Sequence, residues 1–259
     1  MILYFSGTGN SLAIARRLVE RLDEQVMSLY KAAGKDLTHE KRIGLVFPTY
    51  NLEAPKAVRA IVPQLRLSSS AYVWLLITCG AQTNNAIWTV RRLLRKQGVR
   101  VSYCHKIRVP DSSALAFGRN PNDQAWKFDK FASRLTTIGD ELAAGRKRLH
   151  FAGFDPFGWL ISHTRLEEKM GALEQPCVNE AACIGCGICA KVCPQENIVL
   201  DCRDASHASA TALIGEHCTW CLGCVHFCPQ QAIMVNGKTV TKEQQYHHPD
   251  IKLKDMLKR

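Results

Sequence analysis

Two runs of cysteine near the C-terminal end constrain this chain more than any other feature. Eight of its twelve cysteines repeat the spacing C-x-x-C-x-x-C-x-x-x-C-P. In such a run the first three thiolates bind one [4Fe-4S] cube, and the fourth thiolate reaches a neighbouring cube. The spacing therefore predicts two [4Fe-4S] clusters. One would be held by Cys183, Cys186, Cys189 and Cys228, and the other by Cys218, Cys221, Cys224 and Cys193.

Zinc sites and disulfides are the alternatives, because both use closely spaced cysteines. Zinc needs four ligands and gives no reason for a third cysteine at the same spacing, or for the proline that ends each run. Gly185, Gly187 and Gly223 lie between the ligands, where backbone amides must approach cluster sulfides. Clusters are therefore favoured over zinc, and zinc over disulfides.

Cysteine usage also divides the chain. Residues 1–150 contain only Cys79 and Cys104, whereas the ten other cysteines lie between positions 176 and 230. We expect a first domain over 1–150, a connecting segment over 151–175, a small cluster domain over 176–240 and a basic tail over 241–259. A domain as small as 176–240 would be held together by its clusters rather than by a large core.

The N-terminal segment has the pattern of an anion-binding loop. An apolar strand, residues 2–5, leads into Ser6-Gly7-Thr8-Gly9-Asn10-Ser11 and then into an amphipathic helix. The glycines allow a tight turn, and the first helical amides and the hydroxyls can bind an anion. The loop lacks the lysine of a nucleotide P-loop, and Leu12 replaces the third glycine of a dinucleotide motif. A single phosphate, as in a mononucleotide, fits best.

Further apolar runs alternate with helical stretches. The runs cover 25–29, 43–47, 72–78 and 99–107, and the helices cover 54–65, 84–97 and 123–144. Together with the first strand, this order predicts a doubly wound five-stranded parallel sheet. The chain here resembles the flavodoxins, and the small cluster domain is similar to an α+β ferredoxin. The resemblance implies that residues 6–11 bind the FMN phosphate and that two later loops contact its ring. The first of these two loops consists of Pro48, Thr49, Tyr50 and Asn51, and the second consists of Thr78, Cys79, Gly80 and Ala81.

Several of these residues also have simpler interpretations. Tyr50 would stack on the flavin ring by the resemblance, but it could instead cap the core of the sheet. Cys79 is better explained as a small residue beside a ligand than as a redox-active thiol. Cys177 and Cys202 lie outside the runs and are expected to be buried small residues. His247 and His248 are expected to be a solvated pair rather than metal ligands.

The connecting segment is unusually aromatic. Residues 150–160 read HFAGFDPFGWL, whereas a flexible tether would be rich in glycine and serine. We expect the segment to pack, fixing the cluster domain against the first domain.

Charge is unevenly distributed. Residues 1–150 carry a net charge of +13, and residues 176–240 a net charge of −2. The basic surface is either simply solvated or a docking surface, for the cluster domain or for an acidic redox protein such as a ferredoxin-like protein or a reductase. No reader motif for nucleic acid is present.

No secretory signal and no apolar run long enough to span a bilayer is visible, so a cytoplasmic location is expected. A homodimer is left open.

The two halves together resemble flavodoxin-ferredoxin fusions of bacteria and archaea. A flavin exchanges one or two electrons and each cluster exchanges one. The resemblance implies a relay from an external carrier through the clusters to FMN, in either direction. The alternatives are an FMN-dependent reductase of a quinone or nitro compound that is fed by the clusters, and a cluster-dependent sensor without turnover.

Overall fold

The computed structural model describes residues 1–149, 154–162, 164–172, 174–201 and 210–257. The chain divides into two compact units, neither of which is continuous in sequence. The first contains Met1–Ser6, Asn10–Pro110 and Ala125–Glu167. The second contains Gly7–Gly9, Asp111–Gln124 and Glu168–Arg259.

The first unit alternates strands with helices. Its strands are β1 (Ile2–Tyr4), β2 (Val26–Ser28), β3 (Asp36–Leu37), β4 (Arg42–Pro48), β5 (Arg66–Leu67), β6 (Tyr72–Cys79), β7 (Val101–Arg108) and β8 (Arg148–Leu149). Its helices are α1 (Asn10–Leu22), α2 (Leu29–Ala32), α3 (Lys56–Ile61), α4 (Ala86–Lys96), α5 (Trp126–Ala143), α6 (Pro156–Ser162) and α7 (Arg165–Ala172), the last of which continues into the second unit.

The main sheet has the order β2-β1-β4-β6-β7-β8, and all of its pairs are parallel. Its first five strands follow the flavodoxin order 2-1-3-4-5, in which ligands bind beyond the carboxyl ends of the strands. The expected doubly wound parallel sheet is confirmed. It also has a sixth strand, because Arg148–Leu149 pairs with Tyr103 and Cys104 at the edge of β7.

The central strands are buried on both faces, as a sheet covered by helices requires. Residues 73–79 of β6 are all buried, and α1 buries Leu12, Leu18 and Leu22. Gly44 on β4 pairs with Trp74 on β6, and a Cβ at Gly44 would lie 2.0 Å from Trp74 Cζ2. The glycine therefore makes room for an indole in the middle of the sheet.

Among its described residues, the second unit contains four strands and three further helices. The strands are β9 (Pro176–Val178), β10 (Ile198–Asp201), β11 (Thr211–Ile214) and β12 (Ile233–Val235), and the helices are α8 (Ile188–Val192), α9 (Gly223–His226) and α10 (Leu253–Met256). Short 3₁₀ turns also occur at Ser112–Phe117, Pro121–Gln124 and Glu180–Ala182. The predicted small α+β domain is confirmed.

This unit is built from two similar halves, each a strand, a helix and a strand. The outer strands β9 and β12 pair antiparallel, and so do the inner strands β10 and β11. A core that includes Cys189, Leu222, Cys224, Val225 and Cys228 fills the space between the halves. Each half therefore completes the pairing of the other.

Two predictions about isolated residues need correction. The expected solvated histidine pair is wrong for His248, which is only 3% exposed, whereas His247 is exposed and stacks on Phe227 with ring centroids 5.1 Å apart. Cys177 is half-buried on β9 rather than fully buried. Cys202 lies outside the described residues.

The part of the connecting segment that is described begins at Phe154, since residues 150–153 are outside it. Phe154 packs against Trp88 of α4, with ring centroids 4.9 Å apart. Asn85, just before α4, also bonds this segment: its Nδ2 donates to the Asp155 carbonyl at 2.8 Å, and its Oδ1 accepts the Asp155 amide at 2.8 Å. In the described part of the chain, no helix is both long enough and apolar enough to cross a bilayer.

Candidate functional site

Four thiols from the two cysteine runs line one small cavity in the second unit. They are Cys183, Cys186, Cys189 and Cys228, which are the four residues predicted to hold one cluster. The remaining wall is largely apolar and includes Leu200, Ala212 and Ile233. Among the residues that the structure describes, no three His, Cys, Asp or Glu side chains converge on a point as ligands of a single ion do. The four thiols instead line the wall of a cavity, as ligands of a multi-atom cluster do.

The second predicted set gathers around Cys224. This thiol is buried, and its pKa is raised well above the ordinary value, first by burial and then by Cys221, Cys218 and Cys193. In the first set, burial raises the pKa of Cys189 to about 11. A thiol must lose its proton to bind iron, and the positive charge of a metal offsets the cost of a buried thiolate.

Backbone amides point at sulfur atoms in matching places in the two halves. The Asn197 amide donates to Cys193 Sγ at 3.4 Å, and the Ala232 amide donates to Cys228 Sγ at 3.3 Å. In each half the donor follows the fourth cysteine of its run by four residues. Such hydrogen bonds stabilise a thiolate and adjust the reduction potential of a cluster.

The two runs share an unusual backbone path. Gly185 and Gly187 have φ values of 64° and 72°, and Trp220 and Leu222, at the same positions of the second run, have 53° and 55°. Left-handed backbone favours glycine and is uncommon for bulky residues. The path between the cysteines, rather than the local residue type, therefore dictates this conformation.

Hydrogen bonds connect residues of the three predicted flavin loops that belong to the first unit, at the carboxyl ends of β1, β4 and β6. Ser11 Oγ lies 3.0 Å from Thr78 Oγ1, and the Thr49 amide donates to the Thr78 carbonyl at 2.9 Å. Asn10 Nδ2 donates to the Pro110 carbonyl at 3.3 Å. Thr78 thus lies at the centre of the predicted loops.

The loop after β4 contains a tight turn. Tyr50 and Glu53 exchange two backbone hydrogen bonds of 2.9 Å, and the residues between them, Asn51 and Leu52, both have positive φ. Glu53 is fully buried and accepts hydrogen bonds from the Ala54 amide at 2.7 Å and from Thr89 Oγ1 at 2.8 Å. The sequence did not reveal this carboxylate, which ties the turn to α4.

Tyr50 is half-buried, and its ring meets Phe5 edge to face, with centroids 6.1 Å apart. Thr49 Oγ1 and Asn51 Nδ2, on either side of it, are buried atoms without a hydrogen-bond partner in the described structure. Buried polar atoms normally have partners, and a bound ligand is one explanation for such atoms. The donor chemistry of this loop therefore fits a polar ligand such as a flavin.

The loop after β6 is partly enclosed. Cys79 is 4% exposed, and its carbonyl accepts the Val109 amide at 3.0 Å. Lys127 Nζ, at the start of α5, donates to the Gly80 carbonyl at 2.8 Å. Ala81 is exposed, and Pro48, the last residue of β4, is half-buried. The burial of Cys79 favours a packing role over that of a reactive thiol.

The tip of the first loop, residues 7–9, groups with the second unit. The His248 amide donates to the Thr8 carbonyl at 2.9 Å, and a Cβ at Gly9 would lie 2.9 Å from Ile251 Cβ. Gly9, with a φ of 96°, therefore makes room for Ile251 as well as allowing the turn. This use of the glycine had no signal in the sequence, because position 251 is distant along the chain.

Comparison with known proteins identifies the cysteine-rich segment. Residues 182–233 match a family model described as a 4Fe-4S dicluster domain. No curated protein matches the chain. The match establishes a 4Fe-4S protein domain and, with it, an electron-transfer type of chemistry for this segment.

Solved flavodoxins are similar to about half of the chain. The Streptococcus pneumonia TIGR4 flavodoxin is 17% identical with a TM-score of 0.40, and the similarity covers 55% of this chain and 96% of that one. For a flavodoxin from the domain Archaea the identity is 16% and the TM-score 0.37, covering 55% and 94%. For Megasphaera elsdenii flavodoxin the identity is 19% and the TM-score 0.35, and the similarity covers 40% of this chain and 82% of that one.

These scores are low, and the strand order of the sheet is the stronger basis for the fold. The chain is a fusion of a parallel α/β domain with the flavodoxin strand order and a 4Fe-4S dicluster domain at residues 182–233.

Proposed function

We propose that this chain is an electron-transfer protein that holds FMN and two [4Fe-4S] clusters and connects one-electron with two-electron redox partners. The main observation in support of this proposal is the cavity lined by Cys183, Cys186, Cys189 and Cys228. Three of these thiols come from one run and the fourth from the other. Such exchange of ligands is the signature of two-cluster ferredoxins.

The cluster residues would act as ligands and as shielding. Cys218, Cys221, Cys224 and Cys193 would hold the second cluster. Trp220, Leu222 and Val225 are at most 7% exposed and keep water from that side. The amides of Asn197 and Ala232 would stabilise the charge on Cys193 and Cys228. Exclusion of water and hydrogen bonds to sulfur are the means by which a protein adjusts a cluster potential.

The residues of the three loops would hold FMN. Ser6, Gly7, Thr8, Gly9, Asn10 and Ser11 would bind the phosphate through hydroxyls and the first amides of α1. Tyr50 would contact the ring, and the unpartnered Thr49 Oγ1 and Asn51 Nδ2 support a polar ligand at this loop. When bound, the flavin supplies exchange of one or two electrons, and the clusters supply exchange of single electrons.

Anaerobic purification with quantitation of flavin, iron and sulfide tests the proposal. We expect one FMN and about eight iron atoms per chain, as two cubes require. Cys193→Ser should reduce the iron content and perturb one of the two cluster signals in electron paramagnetic resonance. Cys177→Ser, which changes a cysteine outside both runs, should leave the iron content unchanged. Two clusters without flavin would refute the FMN assignment, and equal iron in both variants would refute Cys193 as a ligand. Selective loss of the cluster held by Cys183, Cys186 and Cys189 would refute the crossed ligands.

The alternative is an FMN-dependent reductase of a quinone or nitro compound. The observation in its favour is a cavity in the first unit whose Lys127 bonds Gly80 of the third flavin loop. Steady-state reduction of menadione separates the two functions. A rate that saturates with menadione would support the reductase, whereas rapid transfer to a redox protein with only slow, linear reduction of menadione would support the carrier.

A further inference from the structure

A cavity of about 340 Å³ lies at the carboxyl end of β7, in the first unit. Its walls come from residues 105–108 of β7 and from the first half of α5. The volume is within the range of small-molecule sites, which in open parallel sheets lie beyond the carboxyl ends of the strands. The residues of this cavity are distinct from those of the three flavin loops.

The cavity is strongly basic. Lys106, Arg108, Lys127 and Arg134 line it, and none of its described lining residues is acidic. Arg108 and Arg134 are both exposed, and neither forms an ion pair with a described residue. Lys106 donates to Gln82 Oε1 at 2.6 Å, and Lys127 donates to the Gly80 carbonyl at 2.8 Å. These cations create a positive potential that favours an anion.

The remaining wall is aromatic and apolar. Trp126 lines the cavity while 53% exposed, and Phe131 lines it while only 5% exposed. An indole exposed at the wall of a cavity provides a large flat surface for a ring, and it has a polar N–H at its edge. A flat apolar surface beside guanidinium groups is suited to a ring that carries an acidic group.

From this geometry we infer that the cavity binds a small aromatic or conjugated anion, with its ring against Trp126 and its carboxylate, sulfonate or phosphate group between Arg108 and Arg134. The arginines select for the charge, and the apolar wall selects for the ring. The inference concerns binding alone, and it does not depend on the presence of flavin or clusters.

Calorimetric titration of the full-length holoprotein with 2-naphthoate tests the inference. We expect saturable binding to one site, and binding about tenfold weaker for 2-naphthamide, which has the same ring without the charge. Arg108→Gln with Arg134→Gln should weaken naphthoate binding by about tenfold and leave naphthamide binding unchanged. Trp126→Ala should weaken the binding of both compounds.

The matched control is Arg95→Gln with Arg100→Gln, which removes the same charge from two exposed arginines that do not line the cavity. This variant should bind naphthoate as the unchanged protein does. An equal loss in the control, equal affinity for the acid and the amide, or absence of saturable binding would each overturn the inference. Measured flavin content distinguishes these outcomes from a failure of the FMN assignment, because naphthoate should bind flavin-free protein equally well.

Discussion

Trp220 illustrates how single residues in the second unit are fixed by their surroundings. It lies between two predicted ligands, Cys218 and Cys221, with a φ of 53°. Its Nε1 donates to Gln175 Oε1 at 3.2 Å, and its ring covers Gly171 of α7. An uncommon backbone conformation at a large residue is maintained here by burial of the indole against Gly171 and by its hydrogen bond with Gln175.

Gly171→Ala should therefore destabilise the second unit. A Cβ at position 171 would lie 2.1 Å from Trp220 Cε2 and Cζ2, so the indole must move. We expect a loss of about 1–3 kcal/mol in the free energy of unfolding, as overpacking typically causes. Denaturant unfolding with iron quantitation measures both effects. Ala172→Ser, at the exposed neighbouring position, is the control, and an unchanged stability of Gly171→Ala would contradict the contact.

Glu174 is a second residue with an unusual environment. Burial, with a smaller contribution from the charge of Asp111, raises the pKa of its carboxyl to about 8, although a hydrogen bond with Ser113 opposes the shift. The folded protein therefore keeps a proton that the unfolded chain releases above its ordinary pKa of 4.5. Stability contributed by this group is present at low pH and is lost as the pH rises towards 8.

Glu174→Gln should remove this pH dependence, because glutamine resembles the neutral carboxyl at every pH. The variant should match the unchanged protein below about pH 4, exceed it increasingly as the pH rises above 4.5, and be more stable by up to a few kcal/mol at about pH 8 and above. Thermal unfolding midpoints across this pH range provide the measurement. Parallel pH profiles for the two proteins would show that the carboxyl is ionised in the folded state.

At the scale of elements, the loop after β4 depends on α4. The turn from Tyr50 to Glu53 has two residues of positive φ, and its buried carboxylate accepts a hydrogen bond from Thr89. Helix α4 thus fixes the loop that follows β4 at the carboxyl edge of the sheet. The positions of Tyr50 and Asn51, both predicted flavin contacts, depend on this connection.

Thr89→Val should weaken the connection while keeping a side chain of similar shape. A buried carboxylate that loses a donor costs about 1–3 kcal/mol, so stability should fall by that amount. Flavin affinity should fall too, since the turn is less well ordered. Titration of flavin-free protein with FMN, followed by flavin fluorescence, measures the affinity. Thr89→Ser keeps the hydroxyl and should retain flavin, and a valine variant with lower stability but unchanged FMN affinity would exclude a flavin role for this turn.

In the second unit, each pair of strands joins one strand from each half. Each half supplies one outer and one inner strand, so neither half has a complete sheet alone. The exchange of the fourth cysteine follows the same rule, because Cys228 lines the cavity of the other half. Ligation and strand pairing should thus form together as the domain folds.

For the molecule as a whole, charge is the property that acts on a partner at the longest range. The net charge is +11, and the 1–150 segment is the basic part. Opposite charges accelerate the encounter of two proteins, and salt screens this attraction. An acidic redox protein is therefore the partner that we expect to react fastest at low salt.

Electron transfer from an acidic ferredoxin should slow by about tenfold or more between about 0.1 M and 1 M NaCl, where the screening length falls from about 10 Å to about 3 Å. Stopped-flow absorbance gives the rate. A small mediator of zero net charge is the control, and its rate should change little. A ferredoxin rate that does not depend on salt would argue against electrostatic docking and for a simply solvated basic surface.

Much of the fold could be predicted because its signals are local in sequence. The cysteine spacing specifies a cluster module, since neighbouring ligands must wrap one metal group. The alternation of apolar runs and amphipathic helices predicts the parallel sheet, although not the two-residue strand β8, which is too short to have a pattern of its own. The histidine pair was mispredicted because burial of His248 follows from its backbone bond to Thr8, 240 positions earlier in the chain.

The sequence by itself determined which residues have the chemistry to bind clusters and a phosphate, because that information resides in residue type and spacing. Only the tertiary structure decided which residues meet. It placed Cys228 in one cavity with Cys183 and Arg108 in another with Arg134. It also brought the Glu53 carboxylate within hydrogen-bond distance of the Thr89 hydroxyl. These contacts join positions far apart in the chain, and they form only when burial of the sheet and of the cluster core brings distant segments together.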